Sequence, residues 1–148
     1  MRLNIRLKTL VLAFGILFSS NAFCTLGEKA VSAQTAGQKK LSQSNAQYSV
    51  QESVVNGTTI HEYILPSGTV FGVTWRGITH PDLTAVLGSY HSEYQKLRGE
   101  QPKTVGRAPI NLKSSKVSVR MSGHMRDVHG QAYDPNLLPS GFSLQDFK

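Results

Sequence analysis

Apolar and polar residues are distributed along the chain in three distinct ways. An uncharged apolar run occupies residues 10–18, close to the N-terminus. Residues 25–47 are mostly Gln, Ser, Ala, Lys and Gly, with few large apolar side chains. From residue 48 onward, β-branched and aromatic residues alternate with polar ones between turn residues. The pattern predicts an N-terminal signal peptide over 1–24, a flexible polar segment over 25–47 and one folded domain over 48–148.

The folded region begins with the pattern of a β-hairpin. Residues 48–55 and residues 58–65 both alternate between apolar and polar side chains, and Asn56-Gly57 separates them. Asn and Gly tolerate the positive φ angles that both central residues of a type I′ turn require. The sequence therefore predicts two antiparallel strands joined by a two-residue turn.

Residues 69–75 have the alternation of a third strand, which follows a Pro-Ser-Gly turn. Successive side chains of a strand point to opposite sides of the sheet. The period of two therefore places three apolar side chains on one face: Phe71, Val73 and Trp75.

A single amphipathic helix is predicted over 82–98. Its apolar residues recur at spacings of three, four and seven and form one stripe: Leu83, Val86, Leu87, Tyr90, Tyr94 and Leu97. Thr79 is the candidate N-terminal cap, and Gly99 supplies a stop. The stripe has the width needed to pack on a sheet.

Two more strands are predicted after a polar loop. Apolar and polar residues alternate over 117–121, and Ser122-Gly123 is expected to turn the chain. A fifth strand over 124–133 follows, with a kink expected at Gly130. The tail then supplies apolar anchors that are expected to close one end of the core: Leu137, Leu138 and Phe142. The fold class is α+β, a small antiparallel sheet of about five strands with one amphipathic helix packed on one face.

The N-terminal segment has the features of a cleavable signal peptide. Basic residues precede an apolar run that is too short to span a membrane, which takes about 20 residues. Ala22 and Cys24 place small side chains where a signal peptidase needs them, so cleavage is expected after Cys24. A lipoprotein is the alternative, but Asn21 and Phe23 do not match its usual signal. The protein is thus predicted to be exported to the periplasm or secreted, without a transmembrane anchor after cleavage.

Removal of that segment changes what the composition implies. The chain has one cysteine, which would leave with the signal peptide, so a disulfide framework and thiol chemistry are excluded. Three of the 16 basic residues would leave as well, and 13 basic against 9 acidic residues give a net charge of +4 instead of +7. This modest charge makes nucleic acid a poor candidate partner.

The sequence contains no catalytic, metal or cofactor signature. Five histidines are the main candidate bases or metal ligands: His61, His80, His91, His124 and His129. None belongs to a known motif, and His124 and His129 would face opposite sides of one regular strand. Ser122 lacks the flanking glycines of a nucleophile elbow. We therefore expect no catalytic, cofactor-binding or metal-ligating residues.

Two features suggest an interaction surface. Trp75-Arg76 pairs an aromatic ring with a guanidinium at a strand end, although Trp75 also fits the core. Between residues 96 and 126, eight basic residues stand against one acidic residue. The candidate surface residues are Trp75, Arg76, Lys103, Arg107, Lys113, Arg120 and Arg126. An anionic envelope surface or another exported protein would be the partner, and a solvated basic face is the simpler interpretation.

A series of motifs resembles a known family. In chain order they are Glu62-Tyr63-x-x-Pro66-x-Gly68-x-x-Phe71-x-x-x-Trp75-x-Gly77, Pro81-Asp82-Leu83-x-x-x-Leu87-Gly88, Gly123-x-Met125-Arg126, Gly130-x-Ala132-Tyr133 and Leu137-Leu138-Pro139-x-Gly141, together with Leu26-Gly27. Their order and spacing are similar to those of short exported bacterial proteins catalogued only as domain of unknown function 2844. The resemblance implies a signal peptide and one small domain, and it carries no activity, ligand or catalytic residue.

Two interpretations of function follow. The first is a non-catalytic binding or accessory module of the cell envelope or the secreted fraction. The second is a small hydrolase or metal-dependent enzyme with an unrecognised site. An enzyme would bring histidines or carboxylates together in one concavity, whereas a binding module would present a flat or grooved patch. The sequence favours the binding module.

Overall fold

A computed structural model describes residues 25–30, 39–102 and 108–147 of the chain. Its centre is one seven-stranded antiparallel sheet with the strand order β1-β2-β3-β4-β7-β6-β5. The strands are β1 Lys39–Ser44, β2 Ser49–Val55, β3 Thr58–Ile64, β4 Val70–Gly77, β5 Ile110–Lys113, β6 Ser118–His124 and β7 Asp127–Tyr133. The α-helical residues lie between β4 and β5, as α1 Leu83–Leu87, a 3-10 turn Gly88–Tyr90 and α2 His91–Glu100. A second 3-10 turn, Leu144–Asp146, lies in the C-terminal tail. The class is α+β, as the sequence predicts.

The sheet has seven strands and not about five, because two strands lie where the sequence predicts none. β1 pairs with β2 inside the segment expected to be flexible. Its residues 40–44 are exposed, so backbone pairing rather than apolar burial defines this strand. β5 lies in the region expected to be a polar loop and buries Leu112 against the core. Neither strand is long or apolar enough to produce a clear pattern.

The start of the predicted flexible segment is also part of the domain. Leu26 is fully buried. Its backbone N–H donates to the carbonyl of Val86 at 3.0 Å, and the N–H of Gly27 donates to Val70 at 2.8 Å. Residues 31–38 of that segment, and the whole predicted signal peptide, lie outside the described residues. The described parts of 25–47 therefore add to the core and to the sheet.

The predicted hairpin is confirmed. β2 and β3 pair in register from Ser49 opposite Ile64 to Val55 opposite Thr58. The turn residues Asn56 and Gly57 have φ values of 50° and 76°, as a type I′ turn requires.

A β-bulge in β4, the third strand that the sequence predicts, changes which side of the sheet Phe71 faces. Tyr63 pairs with Gly72 and Ile64 pairs with Val70, so Phe71 has no partner on β3. The extra residue reverses the alternation at this point. Val73 and Trp75 share the helix-side core, whereas Phe71 packs on the opposite face of the sheet. The prediction that Phe71 shares their face is therefore wrong.

The predicted helix is interrupted at Gly88, which has a φ of 48°. The chain passes from α1 through the 3-10 turn into α2, which continues beyond Gly99 to Glu100. Asp82 and not Thr79 caps α1, because its carboxylate accepts a hydrogen bond of 2.9 Å from the N–H of Thr84. The apolar stripe is confirmed, since all six of its side chains are buried in the helix-side core or packed against it: Leu83, Val86, Leu87, Tyr90, Tyr94 and Leu97.

The C-terminal tail covers one end of the other face of the sheet. There Val50, Tyr63 and Phe71 form a second cluster with side chains from Tyr48 and the tail. The tail contributes Leu137, Leu138, Phe142 and Phe147 to it. This confirms that the tail closes part of the core. The remainder of the same face carries no cover from the described residues.

The turn between β6 and β7 lies three residues later than the sequence predicts. Ser122, Gly123 and His124 belong to β6, and Met125-Arg126 makes the turn. Arg126 has a φ of 64° and Met125 is 82 % exposed. β7 continues through Gly130 with unbroken pairing on both sides, so the expected kink is absent. This shift of the turn decides which side chains meet on the sheet.

Candidate functional site

The part of the sheet that the tail leaves uncovered carries polar side chains on three neighbouring strands. Two rows of direct cross-strand partners run over β4, β7 and β6. The first row is Thr74, Gln131 and Arg120, and the second row is Arg76, His129 and Ser122. Alternation along each strand places these two rows on the same face. We call the six residues the open face: Thr74, Arg76, Arg120, Ser122, His129 and Gln131.

A groove of about 250 Å³ runs over the open face. Phe147 lines it on the side of the tail. That ring lies over Gly72, because a Cβ at Gly72 would be 2.6 Å from the Cε1 atom of Phe147. Tyr63 and Phe142 hold the ring with centroid distances of 4.8 and 4.9 Å. The groove thus has a polar floor and one aromatic side.

Ser122 and His129 meet within this groove. The Ser122 hydroxyl and Nε2 of His129 are 2.6 Å apart. The two residues are direct partners across β6 and β7. Sequence reasoning missed this pair because it placed the turn at Ser122-Gly123, which put His129 on one strand with His124 and left Ser122 outside it.

Arg76 and Arg120 supply the positive charge of the groove. The Nε atom of Arg76 lies 3.3 Å from Oδ1 of Asp127, and the two side chains are 76 % and 54 % exposed. Such an exposed ion pair contributes little to stability, so Arg76 can exchange Asp127 for another anion at small cost. Arg120 is exposed on β6, and all nine residues that line the groove are uncharged or basic. The groove is suited to an anion.

The family comparison agrees with the resemblance noted above. A family model described as Protein of unknown function (DUF2844) matches residues 22–147. The chain belongs to this family. A comparison with curated proteins and a comparison with solved structures each gave no match.

Three of the candidate interaction residues line the groove, but only two of them are exposed. Arg76 and Arg120 lie on the open face. Trp75 contributes to the groove wall, but it is only 2 % exposed and belongs to the helix-side core. Its indole nitrogen is buried without a hydrogen-bond partner. A stacking role for Trp75 therefore has no support from its position.

The basic residues between 96 and 126 are divided over several elements of the fold. Lys113 is exposed on the edge strand β5 and Arg126 lies in the turn after β6. Lys103 and Arg107 lie outside the described residues. The basic residues near 96–98 belong to α2, on the helix side of the sheet. The structure therefore groups Arg76 with Arg120, which are far apart in sequence, and places Lys96 and Arg98 on the other side of the sheet.

Two of the other histidines make local contacts. His61 lies 3.1 Å from the carboxylate of Glu52 across β2 and β3, and His91 is 3.3 Å from the amide of Gln95 on α2. Within the described ranges, no three His, Cys, Asp or Glu side chains are grouped so that they could hold a metal ion. None of the described helices has the length and apolar character needed to cross a membrane.

Proposed function

We propose that this protein is a non-catalytic binding or accessory module of the cell envelope or the secreted fraction, and that it binds an anionic ligand on the open face. The basic start, short apolar run and small residues of the N-terminal segment support export. The ligand is then part of an anionic envelope surface or of another exported component.

The observation that carries the proposal is the convergence of two guanidinium groups and one imidazole in a groove without an acidic lining residue among the described ones. Guanidinium groups form charge-assisted hydrogen bonds with carboxylates and phosphates, which are stronger than neutral ones. Thr74, Ser122 and Gln131 add hydroxyl and amide groups between them. A rigid sheet holds all of these groups, so little ordering is needed when a ligand binds.

Binding of a compact anion tests this proposal. Citrate should perturb the backbone NMR resonances of Arg76, Arg120 and His129, and Arg120→Gln should weaken the response about fivefold or more. Arg98→Gln is the matched control, because it removes the same charge from α2 on the helix side of the sheet. Perturbations located only outside the groove, or equal responses from the two variants, would contradict the proposal.

A small hydrolase is the second candidate, and the distance of 2.6 Å between Ser122 and His129 is the observation that favours it. A hydroxyl hydrogen-bonded to an imidazole is the first requirement of a serine nucleophile. Hydrolysis of p-nitrophenyl acetate should then fall to the uncatalysed rate in Ser122→Ala. If the parent protein is no faster than buffer, or if Ser122→Ala retains the parent rate, this candidate is excluded.

A further inference from the structure

A line of basic side chains crosses the uncovered face diagonally from the edge strand β5. Lys113 pairs with Ser118, which lies two residues before Arg120 on β6. Arg120 pairs with Gln131 on β7, and His129 lies two residues before Gln131 on that strand. His129 in turn pairs with Arg76 on β4. Steps of two residues keep a strand on the same face. We call these four residues the basic diagonal: Lys113, Arg120, His129 and Arg76.

The basic diagonal is longer than the groove. Diagonal neighbours on adjacent antiparallel strands are about 7–8 Å apart, so Lys113 and His129 are separated by about 15 Å. Arg76 extends the line by one direct pair, about 5 Å. Lys113 does not line the groove, although it is exposed on the same face. A small anion contacts the groove alone, whereas only an extended ligand with repeated negative charges reaches all four residues.

The position of the diagonal in the sheet decides between a peptide and a glycan. β4, β7 and β6 are interior strands whose backbone groups are paired on both sides. A peptide that adds to a sheet needs a free edge, so it cannot use backbone pairing to cross these three strands. Recognition must come from side chains, and these are hydroxyl, amide, imidazole and guanidinium groups beside the ring of Phe147. Such a set matches a chain of hydroxylated rings that carry carboxylates.

We infer that the basic diagonal binds a linear acidic glycan, a polymer of sugar rings with carboxylates at repeated intervals. This inference rests on the proposed function, because it uses the same groove. It adds the class of ligand, its direction across the strands and a role for Lys113. The glycan crosses β5, β6, β7 and β4 in that order, with its carboxylates near the cationic groups and one ring beside Phe147.

The test measures binding of the purified protein to four probes by calorimetry at low salt. They are a short and a long oligogalacturonate, a neutral maltooligosaccharide of the longer length, and an oligoglutamate of matched charge. The long oligogalacturonate should bind most tightly, and its affinity should fall as salt rises. Arg120→Gln should weaken both acidic glycans about fivefold, and Lys113→Gln should weaken only the long one by about the same factor. Arg98→Gln should leave all affinities unchanged.

The outcomes separate this inference from the proposed function. Equal binding of oligoglutamate, with the same loss in Arg120→Gln, would overturn the glycan assignment and leave an anion-binding groove. Equal binding of the neutral glycan would overturn the role of the charges. If Lys113→Gln had no effect on the long glycan, the diagonal path would be wrong. If Arg120→Gln bound every probe as the parent does, both the inference and the proposed function would fail.

Discussion

The close approach of three strands at Gly130 depends on the absence of a side chain. A Cβ atom at this position would lie 2.9 Å from the carbonyl oxygen of Arg120 and would collide with the ring of Trp75. Gly130 lies between Trp75 and Met121 across the sheet, directly beneath the groove. Glycine is therefore needed at this position for packing and not for an unusual backbone conformation, because the backbone of Gly130 is a regular part of β7.

Gly130→Ala should lower the free energy of unfolding by about 1–3 kcal/mol, because the ring and the strand must move to accept the methyl group. Gly99→Ala is the matched control. Gly99 is an exposed residue of α2, and a methyl group added there would meet nothing within 4 Å, so alanine should stabilise the protein by about 0.5–1 kcal/mol. Urea unfolding of both variants checks the pair. A Gly130→Ala variant as stable as the parent would show that Trp75 has free space beside it.

A buried carboxylate joins the helical region to the end of β7. The hydroxyl of Tyr90 donates a hydrogen bond of 2.6 Å to Oδ2 of Asp134, which is only 6 % exposed. Oδ1 of Asp134 accepts from the backbone N–H of Asn136 at 2.8 Å. Burial, the hydrogen bond to Asp134 and its negative charge raise the pKa of Tyr90 to about 12 from 10.0.

This raised pKa predicts a loss of stability in alkali. Between pH 10 and about 12 the folded protein keeps the phenol proton of Tyr90, whereas the unfolded chain has released it. The stability that Tyr90 contributes through this proton is therefore complete below pH 10 and is lost as the pH rises through 12. Tyr90→Phe should lower the free energy of unfolding by about 1.5 kcal/mol at neutral pH. Above pH 10 the stability of this variant should fall less steeply than that of the parent, because it has no phenol group at this position. Chemical unfolding measured from pH 8 to 12 compares the two proteins. Parallel stability curves for parent and variant above pH 10 would argue against the prediction.

At the scale of elements, residues 25–30 form a short segment that turns at Leu26-Gly27 and packs on the domain, and we call it the docked segment. The carbonyl of Glu28 accepts from the N–H of Val70 at 3.0 Å, and the N–H of Ala30 donates to Gly68 at 2.8 Å. Gly27 lies against Tyr90, where a Cβ atom would be 3.1 Å from the hydroxyl oxygen. This segment therefore closes the helix-side core between the start of β4 and the break in the helix.

Leu26→Ala should destabilise the protein by about 2–5 kcal/mol, because it removes a fully buried side chain and leaves a cavity. Lys29→Ala is the control in the same segment. Lys29 is exposed, and its substitution should change stability by no more than about 0.5 kcal/mol. Thermal unfolding of the two variants provides the measurement. Equal melting temperatures would mean that the segment does not remain docked in solution.

At the scale of the whole molecule, the docked segment constrains where the proposed signal peptide can be removed. Leu26 enters the core two residues after Cys24, the last residue of the predicted signal peptide. Cleavage after Cys24 would leave every docked residue on the folded protein. Cleavage beyond Leu26 would remove a core side chain and the backbone hydrogen bonds of Leu26 and Gly27.

We predict that cleavage of the proposed signal peptide leaves Thr25 as the first residue. Intact-mass analysis of protein recovered from the exported fraction measures this, and Ala22→Asp should leave the precursor uncleaved, since a charged residue replaces a small one at the recognition position. A product that begins at Cys24 and carries lipid would contradict the prediction and identify a lipoprotein. A product that begins after Leu26 would contradict the role of the docked segment.

Periodicity and turn chemistry in the sequence determine the local parts of this fold. The β2–β3 hairpin depends on alternation and on Asn56-Gly57, and the helical stripe depends on spacings of three and four. Both signals act over a few residues, so they can be found without knowing what packs against them. The family motifs were recognisable for a similar reason, because they are short and ordered along the chain.

Only the tertiary structure decides the remaining features, because each depends on a partner that is distant in sequence. β1 is a strand because β2 offers it an edge, and Phe71 changes face because a bulge opposite β3 reverses the alternation. The turn at Met125-Arg126 places Ser122 against His129 and brings Arg120 to the same face as Arg76. The sequence determined the elements with a clear local pattern and identified Arg76 and Arg120 as candidates, whereas strand register determined which side chains share a surface.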